Sequence, residues 1–371
     1  MRTVFLGLTL AAQVGWKTIQ KLILSGLDEH CFQLSPTQWK TDFPFLTGTQ
    51  AEQLSDWLQR DRLKEYERQL KKEGMLYFTV VDDAYPPLLK EIDAPPWLLF
   101  AKGKLSLLNR PALAVVGSRK TSPYGRMTTR NLVSALAARG WCIVSGLAVG
   151  VDGLAHETAL RAEGATIAVL GSGINVVYPR GHRHYYQQIS EKGLLLSEYA
   201  PNTPAHPGFF PQRNRIIAGL AYGTLVIEAA KKSGSLITAH HALEYGREVF
   251  AVPGSIYDAQ SVGTNLLIQQ QGAKLITNVD DILAELTHVS FPQRATRSQV
   301  SPTDEMHLDD EERKILQLLK QKKMHINELR SQTALEFNRL SKILLTLEMK
   351  QYIQSLPGSY YQNKQMTKNN G

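Results

Sequence analysis

Short runs of aliphatic and β-branched residues recur through the middle of the chain, and most lead through a glycine-containing loop into a helix-like stretch. The runs are Leu113–Val116, Cys142–Ser145, Thr166–Leu170, Leu194–Ser197, Thr224–Ile227, Glu248–Ala251 and Lys274–Thr277. Strands that alternate with helices form βαβ units, in which helices cover both faces of a parallel sheet. The sequence therefore predicts an α/β domain over residues 76–286, with an additional strand at Trp97–Ala101.

The first 75 residues show a different pattern. Apolar residues recur at helical spacing in Leu10–Leu24 and again in Leu54–Leu70, between turn-forming residues. This predicts a small helical module over residues 1–75, of the SAM-like or helix-hairpin-helix kind, in which the turn at Gly15–Thr18 either offers N–H groups to phosphate or serves packing alone. The apolar stretch Val4–Ala12 also resembles a short signal peptide, but the periodicity continues beyond it, which favours the first helix of the module.

The C-terminal part of the chain predicts a third module. Residues 287–306 are polar and lack periodicity, which indicates a linker, and residues 307–362 have the order of elements of a winged helix. These elements are three helix-like segments and a β pair: Asp309–Lys320, Ile326–Gln332, Glu336–Lys350, Tyr352–Ser355 and Ser359–Gln362. The third helix has mixed charges, so it fits a protein contact at least as well as a DNA groove. Residues 363–371 are predicted to form a disordered tail.

Composition narrows the classes of function. Hydrophobic residues make up 43% and charged residues 20% of the chain, which excludes wholesale disorder. No stretch approaches the ~20 apolar residues of a membrane span. The two cysteines, Cys31 and Cys142, cannot build a disulfide framework or a four-ligand zinc site, so we expect no metal site and a reducing, cytoplasmic location. The net charge of +8 permits nucleic-acid binding but does not locate it, because residues 76–286 hold 19 basic against 16 acidic side chains.

Two of the loops that follow predicted strands are suited to an anion. The first, after Leu113–Val116, contains Ser118, Arg119 and Lys120 before a helix start, where free N–H groups and the helix dipole favour negative charge. The second, which begins at Ser145, contains Gly146, where a small residue lets a phosphate approach the backbone. Carboxyl ends of parallel strands meet at one edge of a sheet, so these loops are expected to lie together.

Two further loops carry the remaining candidates. The Gly171–Gly173 loop lacks the third glycine of a dinucleotide fingerprint, so no nicotinamide or other cofactor is expected there, and Arg180 follows it. The last loops combine cations, an amide and hydroxyls with an aromatic ring that can stack on an unpaired base. The candidates there are Phe210, Arg213, Asn214, Arg215, Lys232, Ser233, Gly234 and Ser235. Glu228 follows a strand and is suited to hold a guanidinium or a sugar hydroxyl.

The loops that are suited to phosphate contain no recognisable catalytic motif. The sequence shows no Ser-His-Asp order, no nucleophile elbow and no Walker lysine. His156-Glu157 lacks the second histidine of a metalloprotease motif. We therefore expect no catalytic residues and a site that binds a polyanion rather than processing it.

These motifs, in this order, resemble the DNA-processing protein A (DprA, also called Smf) family. The resemblance is carried by Gly117–Arg119, Ser145–Ala148, Gly150–Asp152, Tyr178-Pro179, Ser197-Glu198, Pro211–Gly219, Glu228-Ala229, Ser233–Ser235 and Pro253-Gly254. It implies an extended Rossmann-like domain that binds single-stranded DNA and forms a homodimer. It also implies that the protein bypasses single-strand binding protein and loads the RecA recombinase onto DNA taken up in natural transformation. Arg119 is implied to be the central contact.

Two points leave this interpretation open. The lysine that often precedes Phe-Pro in the family is absent from residues 205–209, which shifts the expected contacts toward Arg180, Arg183 and the Arg213/Arg215 pair. The alternative function is a nucleotide phosphoribohydrolase on a related core, because Gly223-Thr224 followed by Glu228 is similar to the sugar-phosphate site of those enzymes.

Overall fold

The computed structural model describes residues 1–289, 309–333, 335–349, 352–356 and 358–363. The chain forms two compact units, Met1–Pro292 and Gln293–Gly371. The predicted linker at 287–306 lies outside the described residues from 290 onward, and so does the predicted tail beyond residue 363.

Residues 1–75 fold into five helices and one 3-10 turn. The helices are α1 Arg2–Leu10, α2 Trp16–Leu24, α3 Pro36–Asp42, α4 Gly48–Trp57 and α5 Arg60–Lys72, and the 3-10 turn is Glu29–Gln33. Ser35 and Thr47 cap α3 and α4 through reciprocal capping boxes with Gln38 and Gln50. These helices share one hydrophobic core with part of the sheet described below, so they belong to the first unit, and a domain boundary at residue 75 stays a prediction.

The turn before α2 is used for packing. The Trp16 indole N–H donates to the Pro95 carbonyl at 2.7 Å, and the Trp97 indole N–H donates to the Trp16 carbonyl at 3.2 Å. The two indole rings stack with centroids 5.6 Å apart. The segment proposed from sequence as a helix-hairpin-helix turn thus joins the helices to the sheet.

The central sheet has nine strands. They are β1 Leu76–Thr79, β2 Leu98–Gly103, β3 Ala112–Val116, β4 Cys142–Ser145, β5 Thr166–Val169, β6 Leu194–Ser197, β7 Gly223–Val226, β8 Glu248–Ala251 and β9 Lys274–Leu275. Their order is β1-β2-β6-β5-β4-β3-β7-β8-β9; β3 to β9 are mutually parallel, and β2 pairs antiparallel both with β6 and with the edge strand β1. The predicted parallel α/β fold is confirmed, and β1 is a strand that the sequence pattern did not reveal.

Both faces of the sheet are covered by helices. Ala114 and Val116 of β3 join the core on one face, whereas Leu113 and Val115 join the core on the other. Alternate residues of a strand point to opposite faces, so a strand buried on both sides reads as a continuous apolar run. The covering helices are α6 Pro87–Lys90, α7 Pro123–Ala138, α8 Val151–Arg161, α9 Arg183–Lys192, α10 Phe209–Gly219, α11 Gly234–Glu244, α12 Val262–Gln269 and α13 Val279–Glu285.

The order of the strands places a crevice beside β3. From β3 the chain builds β4, β5 and β6 outward on one side, and then returns through α10 to place β7 on the other side of β3. The loops that leave β3 and β7 therefore run in opposite directions from neighbouring strands. Such a topological switch point is where open α/β sheets bind ligands.

The second unit has the order of elements of a winged helix. Its helices are α14 Asp310–Gln321, α15 Ile326–Thr333 and α16 Phe337–Met349, and its strands are β10 Met324–His325, β11 Ile353–Leu356 and β12 Tyr360–Asn363, paired in the order β10-β12-β11. They enclose a core of their own. Across the described residues of both units, no helix is long and apolar enough to cross a membrane.

Candidate functional site

A cleft of about 590 Å³ lies at the carboxyl ends of β3 and β7, at the switch point. The structure brings nine of the predicted contact residues to it: Ser118, Arg119, Lys120, Phe210, Arg213, Asn214, Ser233, Gly234 and Ser235. Gly146 lines a smaller recess that adjoins the cleft through Arg119 and Phe210. Four loops that are distant in sequence therefore meet at one place, as expected for a parallel sheet.

The loop after β3 is held by hydrogen bonds that leave its cations free. Ser118 is buried, and its hydroxyl donates to Gln260 Oε1 at 2.5 Å while accepting from the Lys120 N–H at 3.0 Å. Arg119 and Lys120 are both exposed. Across the described part of the chain the Arg119 guanidinium has no hydrogen-bond or ion-pair partner, so its donors are available to a ligand.

Glu228 anchors the start of α7. Only 1% of it is exposed, and its carboxylate accepts hydrogen bonds from the Ser122 N–H at 3.0 Å and from the Ser122 hydroxyl. A Cβ on Gly125 would lie 2.3 Å from this carboxylate, so only glycine fits there. Glu228 is absent from the lining of the cleft, and it stabilises a helix N-terminus rather than offering an oxygen to a ligand.

Arg213 and Asp152 form a buried pair of opposite charges at the cleft wall. Arg213 is 4% exposed and donates to the Gly146 carbonyl at 2.8 Å and to the Val169 carbonyl. The Gly146 N–H donates to Asp152 at 3.2 Å, and a Cβ on Gly146 would lie 2.4 Å from the Arg213 guanidinium. Arg213 thus joins the ends of β4 and β5 and places a positive charge at the wall of the cleft.

Burial determines the ionisation of this pair. Removal from water raises the pKa of Asp152 to about 6, although Arg213 and two backbone N–H groups oppose the shift. Burial also lowers the pKa of Arg213, to about 10, which leaves the guanidinium charged at neutral pH. The pKa of His156, which is buried close to Arg213, is lowered to about 3, so this imidazole is neutral.

Two aromatic rings, an exposed one from Tyr178 and a half-buried one from Phe210, line the cleft. The rings of Phe210 and Tyr178 are 5.3 Å apart, and the Arg119 guanidinium lies 5.7 Å from the centre of the Phe210 ring. Phe210 packs on Gly171, where an added Cβ would lie 2.7 Å from the ring, and Tyr178 is 48% exposed. Bases stack on such rings while cations bind their phosphates.

The N-terminus of α11 also lines the cleft. Ser233 caps this helix by accepting from the Ser235 N–H at 3.4 Å, and the two hydroxyls lie 2.8 Å apart. The Asn214 side chain donates to the Gly234 carbonyl at 3.2 Å. The N–H groups and the dipole of an 11-residue helix therefore add to the positive potential of the cleft.

Three predicted contact residues lie outside the cleft. Arg215 forms an ion pair with Glu198 at 2.5 Å and is 13% exposed, while Arg180 and Lys232 are exposed but absent from the lining. Residues two apart on a helix differ by roughly 200° in direction, so Arg213 and Arg215 of α10 cannot face one ligand. The structure thus separates a pair that the sequence placed together.

Tyr178 and Gln260 line the cleft although neither was a predicted contact. Tyr178 had a local signal, because it is an aromatic residue shortly after the Gly171–Gly173 loop that follows β5. Gln260 had none, since it belongs to the β8–α12 connection and reaches Ser118 only through the pairing of β7 with β8.

Comparison with known proteins is decisive for the family. The sequence profile described as DNA recombination-mediator protein A matches residues 76–287, and the profile of the DprA winged-helix domain matches residues 299–359. The chain belongs to the DprA/Smf family. This confirms the resemblance read from the sequence, and the family is one of DNA recombination mediators.

Several DprA/Smf proteins illustrate the relationship. The DNA processing protein DprA of Bacillus subtilis is 43% identical over 217 residues, which cover 58% of this chain and 73% of that protein. The Smf protein of Synechocystis is 33% identical over 387 aligned positions, which cover 94% of this chain and 96% of that protein.

Two solved DprA structures share the fold. The X-ray structure of DprA from Streptococcus pneumoniae is 42% identical with a TM-score of 0.57 and covers 73% of this chain and 98% of that one. DprA from Helicobacter pylori, described for its single-stranded DNA binding mode, is 32% identical with a TM-score of 0.52 and covers 57% of this chain and 96% of that one.

Proposed function

We propose that this protein binds single-stranded DNA in the switch-point cleft. The observation that carries the proposal is the exposed Arg119 beside the Phe210 and Tyr178 rings, in a cleft that the N-terminus of α11 also lines. This arrangement offers positive groups to phosphates and ring faces to bases within one cleft. The ligand class is the one named for the Helicobacter pylori relative.

The rings give a reason for preferring a single strand. A base in a duplex is stacked on its neighbours and paired, so its face is not available to Phe210 without the cost of unstacking. The phosphate contacts alone would hold either form of DNA. We therefore expect the protein to bind unpaired DNA more tightly than duplex of the same sequence.

The proposed role is to load RecA onto DNA that enters the cell in natural transformation, in the presence of single-strand binding protein and as a homodimer in the cytoplasm. Family membership supports this role. Dimerisation is proposed near Leu266–Ile268, in α12.

We propose no catalytic step in the cleft. Glu228, on which a phosphoribohydrolase would depend, is engaged by Ser122, so the geometry does not favour that alternative.

The binding step is tested by fluorescence anisotropy with labelled oligothymidylate and with a duplex of equal length, across a salt series. Tighter binding of the single strand, with an affinity that falls steeply with salt, is expected. Equal affinity for the two forms would contradict the proposed use of the rings.

The loading step is tested with DNA covered by single-strand binding protein. The DNA-dependent ATPase of RecA is expected to start earlier in the presence of this protein than without it. An unchanged lag would leave DNA binding standing but reject the mediator role proposed for this chain.

Incubation with AMP tests the alternative enzymatic function. It should release no free base, whereas a release that Glu228→Gln abolishes would favour the phosphoribohydrolase.

A further inference from the structure

A second groove of about 420 Å³ adjoins the cleft, between α7 and α8. Four cationic side chains line it: Arg119, Lys120, Arg126 and Arg130. The first two also line the cleft, so the two depressions meet at the loop after β3. A chain of phosphates that leaves the cleft past Lys120 enters this groove.

The groove has little negative charge to oppose an anion. Glu157 is the one carboxylate among its lining residues, all of which the structure describes, and it is paired with Arg161 at 2.6 Å. His182 also lines the groove, and burial lowers its pKa, which keeps this ring neutral at neutral pH. The remaining charges are the four cations, of which Arg126 and Arg130 belong to the groove alone, so the groove extends the positive charge of the cleft.

The spacing of the two arginines of α7 suits a strand rather than a single ion. Arg126 and Arg130 are four residues apart on α7, so both project from the same face, about one helical turn from each other. One nitrogen of Arg126 donates to the Thr121 carbonyl at 2.6 Å, which holds the guanidinium at the mouth of the groove. Two cations in line can neutralise successive phosphates.

Aromatic rings are present in the groove as they are in the cleft. The ring of Tyr185 lines it, with the His182 ring centred 5.2 Å and the His184 ring 3.7 Å away. A base that has left the cleft would meet a second stacking surface here.

We propose that the α7–α8 groove holds the phosphates of the same single strand beyond the segment bound in the cleft, with Arg126 and Arg130 as the contacts. This inference rests on the proposed function. It predicts that the strand occupies a longer path than the cleft alone, and that the additional contacts count only for oligonucleotides long enough to reach them.

The test compares the variant R126Q/R130Q with the wild-type protein on two oligothymidylates, of about 5 and about 25 nucleotides, which bracket the site sizes of most strand-binding folds. The matched control is R139Q/K192Q. It removes the same charge from exposed positions at the ends of α7 and α9, at the opposite edge of the sheet. Thermal unfolding of each variant checks that it is folded.

For the long strand, R126Q/R130Q is expected to lower affinity about tenfold, as for two exposed ion pairs. The slope of log affinity against log salt is expected to become shallower by about 1.4, because two phosphates are no longer neutralised. The short strand and the control variant should behave as in the wild type. The single variant R130Q keeps the Arg126–Thr121 hydrogen bond and should show about half of the change in slope.

An equal loss for both lengths, or the same loss in the control, would mean that the effect is one of total charge and would overturn the groove as a separate site. No loss on the long strand would overturn it as well. A long duplex that loses as much as the long single strand would show a duplex surface instead. If the wild-type protein binds neither oligothymidylate, the proposed function fails and this inference with it, and that result differs from all of the others.

Discussion

Replacing Arg119 by alanine should weaken binding of single-stranded DNA without weakening the fold. The side chain is exposed, lines the cleft, the recess beside it and the α7–α8 groove, and has no hydrogen-bond or ion-pair partner within the described residues. A hydrogen bond to a charged group contributes about 1.5–3 kcal/mol. Its loss therefore corresponds to an affinity lower by roughly 10- to 100-fold.

The assay is fluorescence anisotropy with labelled oligothymidylate at several salt concentrations. Besides the lower affinity, the slope of log affinity against log salt should become shallower by about 0.7, because one phosphate contact is lost from a single strand. Arg119→Lys keeps the charge and loses the bidentate geometry, so it should give an intermediate affinity.

Arg139→Ala is the matched control for this experiment. Arg139 is also an exposed arginine, but it lies at the C-terminal end of α7, where it pairs with Asp280 at 3.2 Å. It should bind DNA as the wild type does. An unchanged binding curve for Arg119→Ala, or an equal loss in Arg139→Ala, would refute the assignment of the loop after β3 as the central contact.

Three further changes test other parts of the site. Phe210→Ala should lower affinity for single-stranded DNA by about 1–3 kcal/mol, measured by the same anisotropy assay, whereas Phe210→Tyr should retain most of it because a stacking face remains. Arg215→Ala should lower the free energy of unfolding in urea by about 1–3 kcal/mol, because the largely buried Glu198 loses its hydrogen-bonded partner, while the DNA affinity of the folded protein is unchanged; a loss of affinity would place Arg215 at the ligand. Affinity should rise as pH falls from 7.5 to 5.5, since the raised pKa of Asp152 (about 6) lets its carboxyl group lose its negative charge in this range; Asp152→Asn should flatten this rise, and an equal rise in Asp152→Asn would assign it to other groups.

The sheet could be predicted from the sequence because its strands are buried on both faces. Runs such as Leu113–Val116 are apolar throughout, and a short apolar run that ends at a glycine loop is typical of a strand buried on both faces. The edge strand Leu76–Thr79 was not predicted, although it is as long as β4 to β8 and three of its four residues are buried. The pattern therefore reports the strands buried in the middle of the sheet more clearly than those at its edges.

The site was predicted as a set of loops, and its internal geometry was not. Sequence spacing placed Arg213 and Arg215 together, although the direction of successive residues on α10 sends one to the cleft and the other to Glu198. The place of Glu228 after a strand suggested a contact with a guanidinium or a sugar hydroxyl. Its carboxylate instead accepts a hydrogen bond from Ser122, which is 106 positions away in the sequence, so nothing in the sequence indicated this contact. Contacts between segments distant in sequence depend on the strand order, which a single sequence does not contain.

Photo-crosslinking of a thiothymidine-containing single strand, with the attached peptides identified by mass spectrometry, tests directly whether single-stranded DNA occupies the cleft. We expect adducts on peptides that contain Tyr178 and Phe210, and their loss in Arg119→Ala. Adducts confined to residues 1–75 or 309–363, with none at the cleft, would contradict this expectation.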